Sequence, residues 1–219
     1  MVVLVGRKTE RSRGPEAELR GAITMARHGR PALSRRHWLN ARGWTDWWAA
    51  YDRSGLAAGE TPIPILMEIA AECAVVVAST LPRAKETARL IAPERECLED
   101  ALFAEAPLPA PPLPDWLKMR PAMWGVLSRL CWWFGYDGGG ESRRMAEARA
   151  EEAATRLETL ARRGPVLVCA HGWFNRMIGR VLRRRGWKRV YDGGDRYWAW
   201  RRYHPPRPRT TRPRKTGRT

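Results

Sequence analysis

The chain has 219 residues, 44% of them hydrophobic, and a formal net charge of +17. That length suits one domain with a sizeable core, and the apolar share excludes a chain disordered throughout. No apolar run approaches the roughly 20 residues of a membrane span, and residues 2–5 are too short for a signal-peptide core, so a cytoplasmic protein without membrane contact is expected.

The charge is uneven. Residues 201–219 hold seven Arg and one Lys with no acid, +8, and residues 1–20 hold five basic and three acidic residues, +2, leaving +7 for residues 21–200. Nearly half of the excess is therefore a tail. It reads as a solvated, disordered terminus, or as a contact for nucleic acid or acidic headgroups. The balance of the remainder suits an anionic substrate. The dispersed Cys73, Cys97, Cys131 and Cys169 form no C-x-x-C pair and read as buried free thiols rather than zinc ligands.

Residues 1–20 show no sustained period and read as a flexible leader. Ile23, Thr24, Met25 and Ala26 form a short strand pattern that stops at Arg27-His28-Gly29, where glycine permits a sharp exit. From Ser34 to Tyr51, apolar spacings of three and four predict mostly helix, with Gly43 as a candidate break. Gly55 and Gly59-Glu60-Thr61-Pro62 mark a loop. Residues 73–78 are a β-branched run and predict a second buried strand. Ser79-Thr80 are expected to cap a helix over 82–91, with Pro82 in its first turn.

A short strand is expected around residues 96–98. Five prolines within residues 107–114 exclude helix and central strand there. Residues 115–134 predict an aromatic helix whose Trp and Met stripe is core or the underside of a lid. Gly138-Gly139-Gly140 breaks the chain, Ser142 is the expected N-cap of a long helix to residue 163, and Gly164-Pro165 stops it. Residues 166–170 predict a third buried strand running into His171-Gly172. A helix carrying Met177, Ile178, Val181 and Leu182 follows, and residues 197–203 alternate as a last, edge strand. Strands alternating with helices imply an α/β fold in a single domain over residues 21–203, with a disordered basic tail over 204–219.

Three predicted strands lead into polar groups of one character: Arg27-His28, Arg83 within five residues of the second strand, and His171. Parallel strands put their carboxyl ends on one edge of the sheet, where ligands bind. Two arginines and two histidines converging there would make a strongly cationic pocket, suited to a phosphoryl group.

Arg27-His28-Gly29 after the first strand, Ser79-Thr80-Leu81-Pro82-Arg83-Ala84 with Thr87-Ala88 after the second, Gly140-Glu141-Ser142, and His171-Gly172 together resemble the histidine phosphatase (phosphoglycerate mutase-like) superfamily. The resemblance covers about residues 22–203 and implies a three-layer αβα sandwich with a mostly parallel central sheet. It implies that His28 is the nucleophile, that Arg27 and Arg83 hold the phosphate oxygens, and that His171 donates a further hydrogen bond to them. A neutral imidazole is nucleophilic near pH 7, and neighbouring cations keep it neutral. No metal or cofactor is required by this chemistry.

In the family a carboxylic acid from the loop after the second strand–helix unit protonates the leaving group. Glu105 matches best, with Glu99 and Asp100 as alternatives, and proline-rich sequence replaces the family's usual residues after it. Arg30, Ser34 and Asn175 are candidate pocket residues. Arg176 is either a pocket or a helix-surface cation, and His37 and His204 read as surface. The mutase signatures are absent around Ser34 and around the acid, so a phosphomonoester phosphatase is expected, acting on a small phosphorylated substrate or a phosphoprotein. The alternatives are a mutase, or a non-catalytic module that binds a phosphorylated ligand or, through its tail, nucleic acid.

Overall fold

A computed structural model describes residues 20–206. Its strands are β1 (Ile23–Arg27), β2 (Val75–Ala78), β3 (Leu98–Glu99), β4 (Val166–Ala170), β5 (Lys188–Asp192) and β6 (Trp200–His204), joined in one mixed sheet of order β3-β2-β4-β1-β6-β5. β1 and β4 pair in parallel with Arg27 beside Ala170, and β2 and β4 pair in parallel with Ala78 beside Cys169. The three predicted strand ends therefore stand side by side. β6 runs antiparallel to β1 and is flanked by β5, so the expected edge strand is internal and β5 is the edge. β5 carries no buried residue, which is why it left no apolar signal.

The inner strands read as continuous apolar runs because both faces of the sheet are covered. Ile23, Met25, Val166 and Val168 face a core completed by the helices α5 (Arg143–Leu160) and α6 (Gly172–Arg184). Ala26, Val76, Leu167 and Cys169 face the other core, with α2 (Pro64–Glu72) and α3 (Pro82–Ile91). These are the three layers of the expected sandwich. A third cluster, Trp44, Trp47, Tyr51 and Trp124, joins α1 (Ala41–Arg53) to α4 (Pro121–Trp133). Each buried indole N–H in it meets a loop carbonyl: Trp44 donates to Leu108, Trp47 to Ser34 and Trp124 to Leu39.

Two predicted helices are shorter than expected. α1 starts only at Ala41, because Asn40 caps it through its side chain to the Gly43 amide; Gly43 lies inside the helix and does not break it. α4 starts at Pro121, whose missing N–H costs nothing in a first turn, while Met119 bridges to Leu39 instead. Of the aromatic stripe, Trp124 is buried but Trp116, Met123 and Leu130 are exposed. α2 escaped the sequence reading, hidden behind a proline and a short apolar run. Ser142 caps α5 as expected, accepting from the Met145 amide, whereas α3 is led in by Leu81 without a side-chain cap.

The four cysteines are free; Cys73 and Cys169 are buried, but Cys97 and Cys131 are only half-buried. His204 closes β6 and so belongs to the sheet rather than to the tail. The expected tail from residue 207 onward and residues 1–19 of the expected leader lie outside the described residues. Among the described residues, no helix is long and apolar enough to cross a membrane.

Candidate active site

The β1 turn sets His28 against the sheet edge with 2% of its surface exposed. Its Nδ1 lies 2.7 Å from the Gly29 carbonyl, an acceptor, so Nδ1 carries the proton and Nε2 keeps its lone pair. Gly29 is required by close approach: a Cβ there would stand 2.5 Å from the Trp198 ring. The Gly29 amide donates to Thr87 Oγ1, which fastens this turn to α3.

His171 follows β4 at the next position along the edge, its ring centroid 5.2 Å from that of His28. Its Nε2 lies 2.9 Å from Ser79 Oγ. That hydroxyl also accepts from the Leu81 amide at 3.4 Å. Burial, reinforced by Arg83 and Arg27, holds the His28 ring well below its ordinary basicity. Burial and then Arg83 do the same to His171.

Arg83 is fully buried on α3, where its guanidinium donates to the Tyr51 carbonyl and to Asp52 Oδ1 and lies 4.4 Å over the Tyr51 ring. Burial raises the Asp52 carboxyl above its usual value, more than Arg83 lowers it. Arg27 donates to the Asp195 carbonyl and lies 4.6 Å from the centre of the Tyr197 ring. Asp195 itself is held by Arg176 and Arg201. Among the described residues, the donors Arg27 Nε and Arg83 Nε and the ring nitrogen His171 Nδ1 are buried without a hydrogen-bond partner. Three of the four residues expected to handle a phosphoryl group thus each keep one nitrogen without a partner.

The cleft in front of them measures about 520 Å³ and is lined by Arg27, His28, Arg83 and Glu105, with walls from α1, α4 and α6. Glu105 sits at the N-terminus of α6, where its carboxylate accepts from the Phe174 amide at 2.9 Å and the Trp173 amide at 3.3 Å. Glu99 instead pairs with Lys85, and Asp100 caps the turn at Ala101–Phe103; neither lines the cleft.

The other candidates divide. Arg176 lines the cleft, paired with Asp195. Asn175 is buried and donates to the Ala26 carbonyl, a brace between α6 and β1 rather than a pocket wall. Arg30 turns outward to Glu60, and Ser34 is exposed and accepts from the Arg36 amide, so neither reaches the cleft. Sequence proximity to Arg27-His28 suggested both, but the chain leaves the sheet at Gly29. His37 and His204 are exposed.

The sequence reading passed over Tyr51, Arg129, Asp195 and Tyr197. Tyr51 was legible only as part of an aromatic helical stripe, and Asp195 and Tyr197 belong to a loop without a motif. Among the described residues, no group of three His, Cys, Asp or Glu side chains could hold a metal ion.

The mixed α/β sheet thus carries a buried histidine and two arginines at its carboxyl edge. The sequence matches the histidine phosphatase superfamily (branch 1) over residues 23–193, and the chain belongs to that family. A mycobacterial glucosyl-3-phosphoglycerate phosphatase in its native form is 21% identical, with a TM-score of 0.50 over 83% of this chain and 89% of that one. The structure described as mycobacterial hydrolase 1 is 20% identical, with a TM-score of 0.54 over 83% and 90%. The vanadate complex of the glucosyl-3-phosphoglycerate phosphatase is 19% identical, with a TM-score of 0.52 over 83% and 92%. At these identities the likeness is one of fold. A search of curated proteins returned no match.

Proposed function

We propose that the protein hydrolyses phosphomonoesters through a phosphohistidine formed on His28. The observation that carries this reading is the set of unpartnered buried nitrogens, Arg27 Nε, Arg83 Nε and His171 Nδ1, on the strand ends and helix that hold His28, whose Nδ1 meets the Gly29 carbonyl and leaves Nε2 with its lone pair. A buried donor left unmatched is costly, so the set calls for one multiply charged acceptor, and a phosphoryl group supplies three oxygens. Family membership and similar structures named as phosphatases agree with it.

In the first step the Nε2 lone pair attacks phosphorus. The P–O ester bond breaks, and its electron pair stays with the leaving oxygen, which takes a proton from Glu105. In the second step water attacks phosphorus, gives its proton to the Glu105 carboxylate, and the N–P bond breaks to release inorganic phosphate and neutral His28. The guanidiniums supply the charge stabilisation that phosphoryl transfer demands, without a metal ion. Of the cleft carboxylates, Asp195 is bound to two arginines, while Glu105 Oε2 has only the long bond from Trp173 to give up.

Incubating the wild type with an aryl phosphate and quenching should trap an acid-labile phosphohistidine, and His28→Ala should lose both the adduct and turnover. Full turnover in His28→Ala would overturn the mechanism. Sustained interconversion of 3- and 2-phosphoglycerate without net hydrolysis would replace phosphatase by mutase.

A further inference from the structure

α4 is patterned against the burial rule. It hides Ser128, whose hydroxyl has no partner among the described residues, and leaves Val126 63%, Met123 54% and Leu130 52% exposed. Apolar side chains normally turn inward and polar ones outward, and where a sequence breaks that pattern a functional surface is the usual reason. Val126 and Leu130 are also walls of the catalytic cleft, together with Trp48 of α1, Leu108 of the proline-rich strap and Trp173 of α6. The exposed stripe is therefore continuous with the cleft that holds Arg27, His28 and Arg83.

Resting on the phosphomonoesterase reading above, we infer that the ester taken by this site carries a large apolar leaving group, an aryl or extended alkyl alcohol laid along α4. The phosphoryl group fills only the end of the cleft at His28, and about 520 Å³ is the size of pocket that encloses a drug-sized organic ligand. Several polar side chains near the apolar wall are bonded to the protein, while Trp173 Nε1 is buried without a partner among the described residues. Arg129 donates to the carbonyls of Ala106 and Pro107, Arg35 to Tyr197 and Arg176 to Asp195. A polyol such as a sugar or glycerol would lose its water contacts over the apolar wall of Leu108, Val126 and Leu130. Gly125, in the same wall, leaves open space: a Cβ built there meets nothing within 4 Å.

The test uses two parallel series. The first is binding of ethyl- to octylphosphonate, which cannot be hydrolysed, followed by tryptophan fluorescence; the second is kcat/KM for the matching alkyl phosphates and for glycerol phosphate. Affinity and kcat/KM should both rise about threefold per methylene, as for largely buried CH₂ groups, with glycerol phosphate well below propyl phosphate. Gly125→Leu, which fills the wall from an unstrained helical position, and Val126→Asp should each cut the octyl-to-ethyl ratio at least tenfold. Met67→Asp, exposed on α2 away from the cleft, should leave the ratio unchanged.

Hydrolysis with a flat chain-length series, or a preference for glycerol phosphate, overturns the inference and leaves the phosphatase intact. A steep phosphonate series without hydrolysis of any ester does the reverse. A flat series combined with a dimer in sedimentation that Val126→Asp dissolves would assign the stripe to a second copy of the chain and overturn it as well.

Discussion

At His28, burial and two guanidiniums act in one direction. The ring, like that of His171, is held well below the ordinary value of 6.5. Both should therefore stay neutral at pH 6, and NMR titration of the ring carbons should place both midpoints well under 6.5; a midpoint at or above 6.5 for either ring would contradict the electrostatic account. Stability follows from the same shift. Between about 6.5 and the lower folded-state values, the unfolded chain binds more protons than the folded one, so stability falls as pH is lowered through that window and levels off beneath it. Above 6.5 neither state protonates these rings and the contribution is flat. Beyond burial, these shifts draw on the charge of Arg83, which motif spacing anticipated, and Arg83 is held by Tyr51 and Asp52, which spacing did not anticipate.

At the scale of elements, the Glu105 loop is fixed from three sides. Arg149 of α5 donates to the carbonyls of Leu102 and Ala104 and grips Glu141 through two further nitrogens. Arg129 of α4 donates to Ala106 and Pro107, and the carboxylate itself closes the N-terminus of α6. Glu141 belongs to the Gly-Glu-Ser stretch ahead of α5, so a motif legible in the sequence reaches the acid through Arg149. Glu105→Gln keeps the side chain's shape and removes its proton. Turnover of an alkyl phosphate should fall about 10²- to 10⁴-fold, and that of an aryl phosphate far less, since a phenolate leaves without help. Steady-state kcat on the two esters decides it; equal losses would remove Glu105 from the acid role. The helix starts show why apolar period alone overreached. It carried α1 back to Ser34 and α4 back to Asp115, while Asn40 and Pro121 set the true first turns through hydrogen bonds that a periodicity cannot register.

At the scale of the molecule, the basic excess divides between the described residues and the terminal segments outside them. Residues 207–219 hold five Arg and one Lys with no acid. If that charge serves nucleic acid, a chain ending at residue 206 should lose salt-dependent retention on a DNA column and keep its phosphatase activity, because β6 and the cleft are complete by then. Equal retention of both forms, or no salt-dependent retention by the full chain, would dismiss that use of the tail. The described residues contribute differently: their arginines at the cleft are held by carbonyls, carboxylates and aromatic rings, so their charge is fixed in direction rather than spread over a surface.

By itself the sequence determined the family and the three inner strands, and it singled out Arg27, His28, Arg83 and His171 as candidates for handling a phosphoryl group. Buried parallel strands must be short apolar runs, and their ends must carry the chemistry, so both leave a local mark at Arg27-His28-Gly29, Arg83 and His171. Only the tertiary structure decided which carboxylate faces them, since Glu99, Asp100 and Glu105 are equally acidic in one dimension and differ by where the chain turns after β3. It also decided that Arg30 and Ser34 leave the site, that β6 is internal, and that α4 exposes its apolar side. Each of these depends on contacts between residues far apart in the chain, for which no spacing in the sequence is a proxy.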